Sequence, residues 1–224
     1  MSQYEIEVKS LLGDQINVEA LKQKMCELDP ECSMTSCNKQ LNHYFEGGDI
    51  EQLRTLIKDY LTTEANDNLD DIIKRGTNFS IRTRQKDELV YLVIKASVDE
   101  GSSANTVSRL EFEELIDQTL DELDEVLKQA GFKYQAKWSR EREEYNYKGL
   151  NVCIDKNAGY GYLAEFEKVI HDEAVLAEAR AEIESLMQEL GIKELPQERL
   201  ERMFSHYNQN WQDYYGTDKI FVIE

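Results

Sequence analysis

The chain has 224 residues, 41% of them hydrophobic, and a formal net charge of −19 from 26 basic and 45 acidic side chains. So acidic a surface repels nucleic acid and anionic membranes at long range, which argues against both as partners, yet a local basic cluster can still hold an anion. The length suits a single domain, and no apolar run in the chain approaches a membrane-spanning helix.

In chain order, residues 2–12 read as a first strand containing Tyr4-Glu5-Ile6-Glu7-Val8-Lys9. Alternation puts Glu5, Glu7 and Lys9 on one face and Tyr4, Ile6 and Val8 on the other. Residues 17–28 have helical spacing, with Asn17 as the expected N-cap and Pro30 just beyond the end. A weaker strand is expected over 39–46, stopped by Gly47-Gly48. Asp49 is placed to cap the helix that follows, while residues 64–75 are too polar to assign. Residues 78–85 and 89–97 are the most β-like runs and predict a hairpin. A loop at 98–105, a strand at 106–113 and a helix at 114–130 with Leu115, Leu120, Leu123 and Leu127 inward come next. Strands at 132–147, 150–155 and 160–170 follow, then helices at about 172–190 and 196–213. The aromatic run around Tyr207, Trp211, Tyr214 and Tyr215 has the spacing of a helix packed on the outside of the sheet.

Cys26, Cys32, Cys37 and Cys153 lack the short spacing of a zinc knuckle. No charged-then-apolar leader is visible, so a cytoplasmic protein with free thiols is expected. His43, His171 and His206 are too scattered to suggest a histidine metal site or a Ser-His-Asp triad.

One face of the predicted strands carries Glu5, Glu7, Lys9, Arg82, Arg84, Lys95, Arg109, Glu111, Glu113, Arg140, Arg142, Asp155, Glu165 and Glu167. The opposite face is apolar, and the helices carry apolar stripes that need a surface to pack on. The charged face is therefore expected to look inward, and eight strands suffice to close a barrel with room for one small ligand. Buried ions are costly unless well paired, so such a lining reads as a binding site for a ligand with both phosphate and metal. Arg and Lys would hold phosphate oxygens, and carboxylates would hold Mg²⁺ or Mn²⁺.

In order along residues 4–170 stand Glu5-Ile6-Glu7-Val8-Lys9, Tyr44-Phe45, Arg82 and Arg84, Lys95, Arg109 with Glu111 and Glu113, Arg140 and Arg142, Asp155, and Glu165 with Glu167. This ordered set resembles the CYTH domain, the triphosphate tunnel metalloenzymes. The resemblance implies one domain over 1–224, of α+β class. Its core, about 2–170, would be an eight-stranded antiparallel β-barrel with a charged interior. Helices would pack outside it, those at about 172–213 closing the chain.

The resemblance also implies a divalent-metal-dependent triphosphatase that binds a small-molecule triphosphate. Lys9, Arg82, Arg84, Lys95, Arg109, Arg140 and Arg142 would bind the triphosphate. Glu5, Glu7, Glu111, Glu113, Asp155, Glu165 and Glu167 form the pool of metal ligands, with Glu5, Glu7 and Lys9 nearest the chemistry. The substrate would be inorganic tripolyphosphate, thiamine triphosphate or a nucleoside triphosphate. A first alternative is a class IV adenylyl cyclase, which makes cyclic AMP and pyrophosphate from ATP. Those enzymes tend to carry a His-Phe pair just before the first motif, where this chain has Met1-Ser2-Gln3-Tyr4. A second alternative is a polyphosphate-binding module without turnover. The segment 47–76 is longer than the family pattern suggests, and it either lies over a tunnel mouth or pads the outside.

Overall fold

The computed structural model describes residues 4–97, 109–170 and 172–224, without the side chains of Tyr4, Glu5, Arg109 and Glu173. The strands are β1 (Tyr4–Gly13), β2 (Ser33–Gly47), β3 (Thr77–Lys86), β4 (Leu89–Ser97), β5 (Arg109–Leu115), β6 (Phe132–Tyr147), β7 (Leu150–Asn157) and β8 (Gly161–Ile170). The helices are α1 (Gln15–Leu28), α2 (Ile50–Ile57), α3 (Thr63–Arg75), α4 (Leu120–Gln129), α5 (Leu176–Leu190) and α6 (Gln197–Asn210). The strands form one sheet in the order β1-β8-β7-β6-β2-β3-β4-β5. Eight antiparallel strands with helices are the α+β architecture expected. Backbone hydrogen bonds do not close the sheet among the described residues, since its order ends at β1 and β5.

The contacts of the chain divide it into two compact units. The first holds β1, α1, the start of β2, the end of β6, β7, β8, α5 and α6. Its core joins Ile6 and Val8 of β1, Val152 and Ile154 of β7, and Ala164 and Phe166 of β8 to Val18, Leu21 and Met25 of α1 and Ile183 and Met187 of α5. The second holds the rest of β2 and β6 with β3, β4, β5, α2, α3 and α4. Its core joins Phe45, Ile81, Leu92, Ile94 and Phe112 to Leu53 and Ile57 of α2, Leu69 and Ile72 of α3, and Leu123 and Leu127 of α4. In each unit the helices cover the apolar face of the strands, as the alternation predicts. The segment 47–76 thus pads the outside of the second unit, and its polar half is the helix α3, capped by Thr62 and inserting only a narrow stripe.

Several boundaries differ from the sequence expectation. α1 begins earlier than predicted and is capped by Asp14, whose carboxylate accepts the Asn17 backbone N–H at 3.0 Å. Asn17 instead sends its amide to the Leu12 carbonyl at 2.7 Å. α4 begins only at Leu120, because Thr119 and Glu122 close a capping box there. Leu115 is consequently not an inward helical residue: it ends β5 and is 54% exposed. β2 starts at Ser33, six residues before the expected Lys39. The expected loop 98–105 and the first residues of the strand expected from Thr106 lie outside the described residues.

α6 buries Tyr207 against Tyr160, in the turn between β7 and β8, and against Tyr214, but it ends at Asn210, so the aromatic run expected to be helical leaves the helix from Trp211 on. The tail adds an isolated parallel bridge, Gly159 to Ile220. No helix among the described residues is long and apolar enough to cross a membrane.

Candidate functional site

The predicted site residues fall into two groups, one in each unit. In the first, β1 pairs with β8 so that Glu7 stands opposite Glu167 and Lys9 opposite Glu165. β8 pairs with β7, bringing Asn151 beside Glu167 and Cys153 beside Glu165. β7 pairs with β6, setting Asp155 against Arg142 and Asn157 against Arg140. Same-face neighbours lie about 6.8 Å apart along a strand. The face therefore grades from carboxylates, at Glu7 and Glu167, through Lys9 with Glu165, to guanidiniums at Arg142 and Arg140.

The side chains interlock. Lys9 Nζ donates to Glu7 and lies 3.4 Å from Glu165 Oε1. Arg142 grips Asp155 with two parallel bonds of 2.7 Å and also donates to Glu165. Arg140 adds a bond of 2.9 Å to Asp155 Oδ2. Asp155 is fully buried, and Glu165 is 8% exposed. Burial alone would raise the Glu165 carboxyl, but the charges of Lys9, Arg142 and Arg140 outweigh it and hold the group well below the usual carboxylate range. The reverse holds for Lys9, which burial pulls down but Glu165 and Glu7 drive above an ordinary lysine. Burial pushes the Cys153 thiol up, and the Arg142 charge offsets this only in part.

Cys153 Sγ and one carboxylate oxygen each of Glu165 and Glu167 lie within 4.8 Å of one another. Carboxylate oxygens that close together suit a hard divalent cation. Asn151 holds the Glu167 carboxylate with a bond of 2.8 Å.

In the second unit, β2, β3, β4 and β5 present Asn42, Tyr44, Arg82, Arg84, Lys95, Glu111 and Glu113. Arg82 donates to the Tyr44 hydroxyl at 2.5 Å and lies 5.3 Å over its ring, while its buried Nε has no partner. Arg84 reaches Asn42 Oδ1 at 3.1 Å and both oxygens of Glu113 at 2.8 Å. Lys95 Nζ lies 3.2 Å from Glu111. The side chains of Glu5 and Arg109 lie outside the described residues, although both positions belong to strands. Lys137, of opposite parity to Arg140 and Arg142, stands over the Tyr134 ring at 4.2 Å.

Sequence reasoning passed over Asn42, Asn151, Cys153 and Asn157. The signal for them was parity, since Asn151, Cys153 and Asn157 alternate with Asp155 on β7, but selecting for charge left them out. On the helix-covered side of the second unit, Asp124 of α4 accepts from Thr83 and Tyr134 and meets His43 Nδ1, each at 2.6 Å.

The family model for the CYTH domain matches residues 60–199. No curated protein matches the chain. Among solved structures, a conserved hypothetical protein from Pyrococcus furiosus superposes with a TM-score of 0.59 at 21% identity, over 84% of this chain and 91% of the other. A proposed adenylate cyclase from Vibrio parahaemolyticus gives a TM-score of 0.58 at 15% identity, over 92% and 99%. A proposed adenylyl cyclase from Hippeastrum, described as having a dominant triphosphatase activity, gives 0.50 at 17% identity, over 85% and 89%.

Proposed function

The chain belongs to the CYTH domain family, and on that premise we propose that it hydrolyses a linear triphosphate with a divalent metal ion. The observation that carries this reading is the interleaving of buried cations and carboxylates on one strand face, as in Lys9, Glu165, Arg142 and Asp155. So many desolvated ions make a costly core. They are well spent on a ligand that pairs a polyanion with a cation.

In the first unit, Arg140 and Arg142, braced on Asp155, direct N–H donors at phosphate oxygens with little freedom to lose. Lys9 keeps its proton between Glu7 and Glu165 and adds positive charge beside the carboxylates. Glu165 and Glu167, with Glu7 and Glu5 on β1, would hold Mg²⁺ or Mn²⁺. Bound there, the ion would neutralise and orient phosphate oxygens. The second unit offers Arg82, Arg84 and Lys95, with Arg109, as phosphate grips of its own, and Glu111 and Glu113 as its own carboxylates. Water attacks the terminal phosphorus in line, the bond to the bridging oxygen breaks, the shortened diphosphate end departs with that oxygen, and the phosphoryl group is released as orthophosphate with the water's proton passing to solvent. Fixed charges aimed at the oxygens supply most of the acceleration.

The test is one substrate panel. Tripolyphosphate, thiamine triphosphate and nucleoside triphosphates are incubated with Mg²⁺ or Mn²⁺, scoring orthophosphate, pyrophosphate and cyclic nucleotide separately. Orthophosphate release is expected. Pyrophosphate together with cyclic AMP makes the protein a cyclase instead, and tight binding with no product makes it a binding module.

A further inference from the structure

Asn157 ends β7 on the same face as Asp155 and Cys153, opposite Arg140 in the β6 ladder. It is only 8% exposed, and its amide Nδ2 is buried with no hydrogen-bond partner. A buried donor without a partner forfeits its bonds to water for nothing, so an apolar or smaller residue would serve the fold better. Its cross-strand partner on β8 is Gly161, which offers no side chain to satisfy it. The amide sits at the guanidinium end of the face, two same-face steps along β7 from Cys153 and so about 13 Å from the carboxylate end.

We propose that Asn157 is an additional substrate-binding residue, whose amide donates to an anionic oxygen of the triphosphate at the Arg140 end of the face. This rests on the triphosphatase reading and deepens it by giving the substrate a direction. The phosphate beside Glu7, Glu165 and Glu167 is the one that meets the metal. The phosphate farther along meets Arg140, Arg142 and Asn157.

The test is calorimetric titration of inorganic tripolyphosphate into the full chain, with and without Mg²⁺, for the wild type, Asn157→Ala and Asn157→Asp. A lost hydrogen bond to a charged group weakens Asn157→Ala about ten- to hundredfold, equally with and without Mg²⁺. Asn157→Asp keeps the shape and turns the donor into an anion, so it should bind more weakly still. In turnover, KM should rise in Asn157→Ala while the Mg²⁺ concentration for half-maximal rate stays put. The melting temperature of Asn157→Ala without ligand should hold or rise, because an unsatisfied donor has been removed. Unchanged tripolyphosphate affinity in either folded variant overturns the inference while leaving the triphosphatase reading intact. Failure of the wild type to bind tripolyphosphate overturns both.

Discussion

At the scale of single residues, the two charge classes should respond to substitution with opposite signs. Arg82 holds Tyr44 and keeps a spare buried donor. Arg82→Ala or Lys95→Ala should therefore weaken tripolyphosphate binding with or without metal, by up to about a hundredfold. Glu7→Gln removes negative charge from beside the polyanion, so metal-free binding should hold or tighten. Its metal-dependent turnover should nevertheless collapse. Equilibrium titration alongside phosphate release checks both. Near-normal Mg²⁺-dependent hydrolysis by Glu7→Gln would break the division into phosphate grips and metal ligands. Charge and parity made these residues legible in the sequence. Asn157 was not, because a neutral amide leaves no mark in a charge pattern. Its importance lies in what surrounds it.

At the scale of elements, the Asp124 knot decides how α4 sits on its sheet. One buried carboxylate on the helix ties together His43 of β2, Thr83 of β3 and Tyr134 of β6. Burial would raise the Asp124 carboxyl, but the bonds from His43, Thr83 and Tyr134 outweigh it and hold it below the usual range. The Tyr134 hydroxyl, by burial and its bond to Asp124, is pushed up to about 12. Asp124→Ala should cost about 3–5 kcal/mol, since it strips a buried network of its shared acceptor. Because the folded carboxyl is depressed, its contribution is fully present above the unfolded value near 3.9 and fades as the pH falls below it. Urea unfolding across a pH series should show that acid slope in the wild type and a shallower one in Asp124→Asn. An unchanged slope would mean that the knot is not coupled to folding. The sequence placed α4 and its buried leucines but began the helix too early. Hydrophobic spacing runs smoothly through Leu115, and only the capping box at Thr119 and Glu122 stops it. β2 was cut short for a related reason: residues 33–38 have little alternation of their own and are strand because β6 supplies the partner. Thr35 there donates to the Glu144 carbonyl at 3.2 Å.

At the scale of the whole molecule, a ligand that binds only the folded chain must stabilise it. A triphosphate at a hundredfold excess over its Kd should add about 2.7 kcal/mol. Orthophosphate, with fewer contacts to the same cations, should raise the melting temperature much less at equal concentration. Thermal melts with each anion check this, and equal shifts from the two would contradict a site built for a long polyanion. Both effects should shrink as salt is added, since screening weakens the partly exposed cations such as Lys95.

The sequence by itself indicated eight strands, their order along the chain, the face on which the described charges lie and the family to which the chain belongs. These follow from local rules, because a period of two residues assigns every side chain to one face or the other and the ordered motifs need no partner to be read. Only the tertiary structure decided which charges meet. Register set Lys9 against Glu165 and placed Asp155 where Arg140 and Arg142 both close on it. Pairing also sorted the first unit's charges into an acid end and a guanidinium end, and left one buried amide there without a partner. Such placements depend on cross-strand neighbours far apart in the chain, and alternation within one strand carries no information about them.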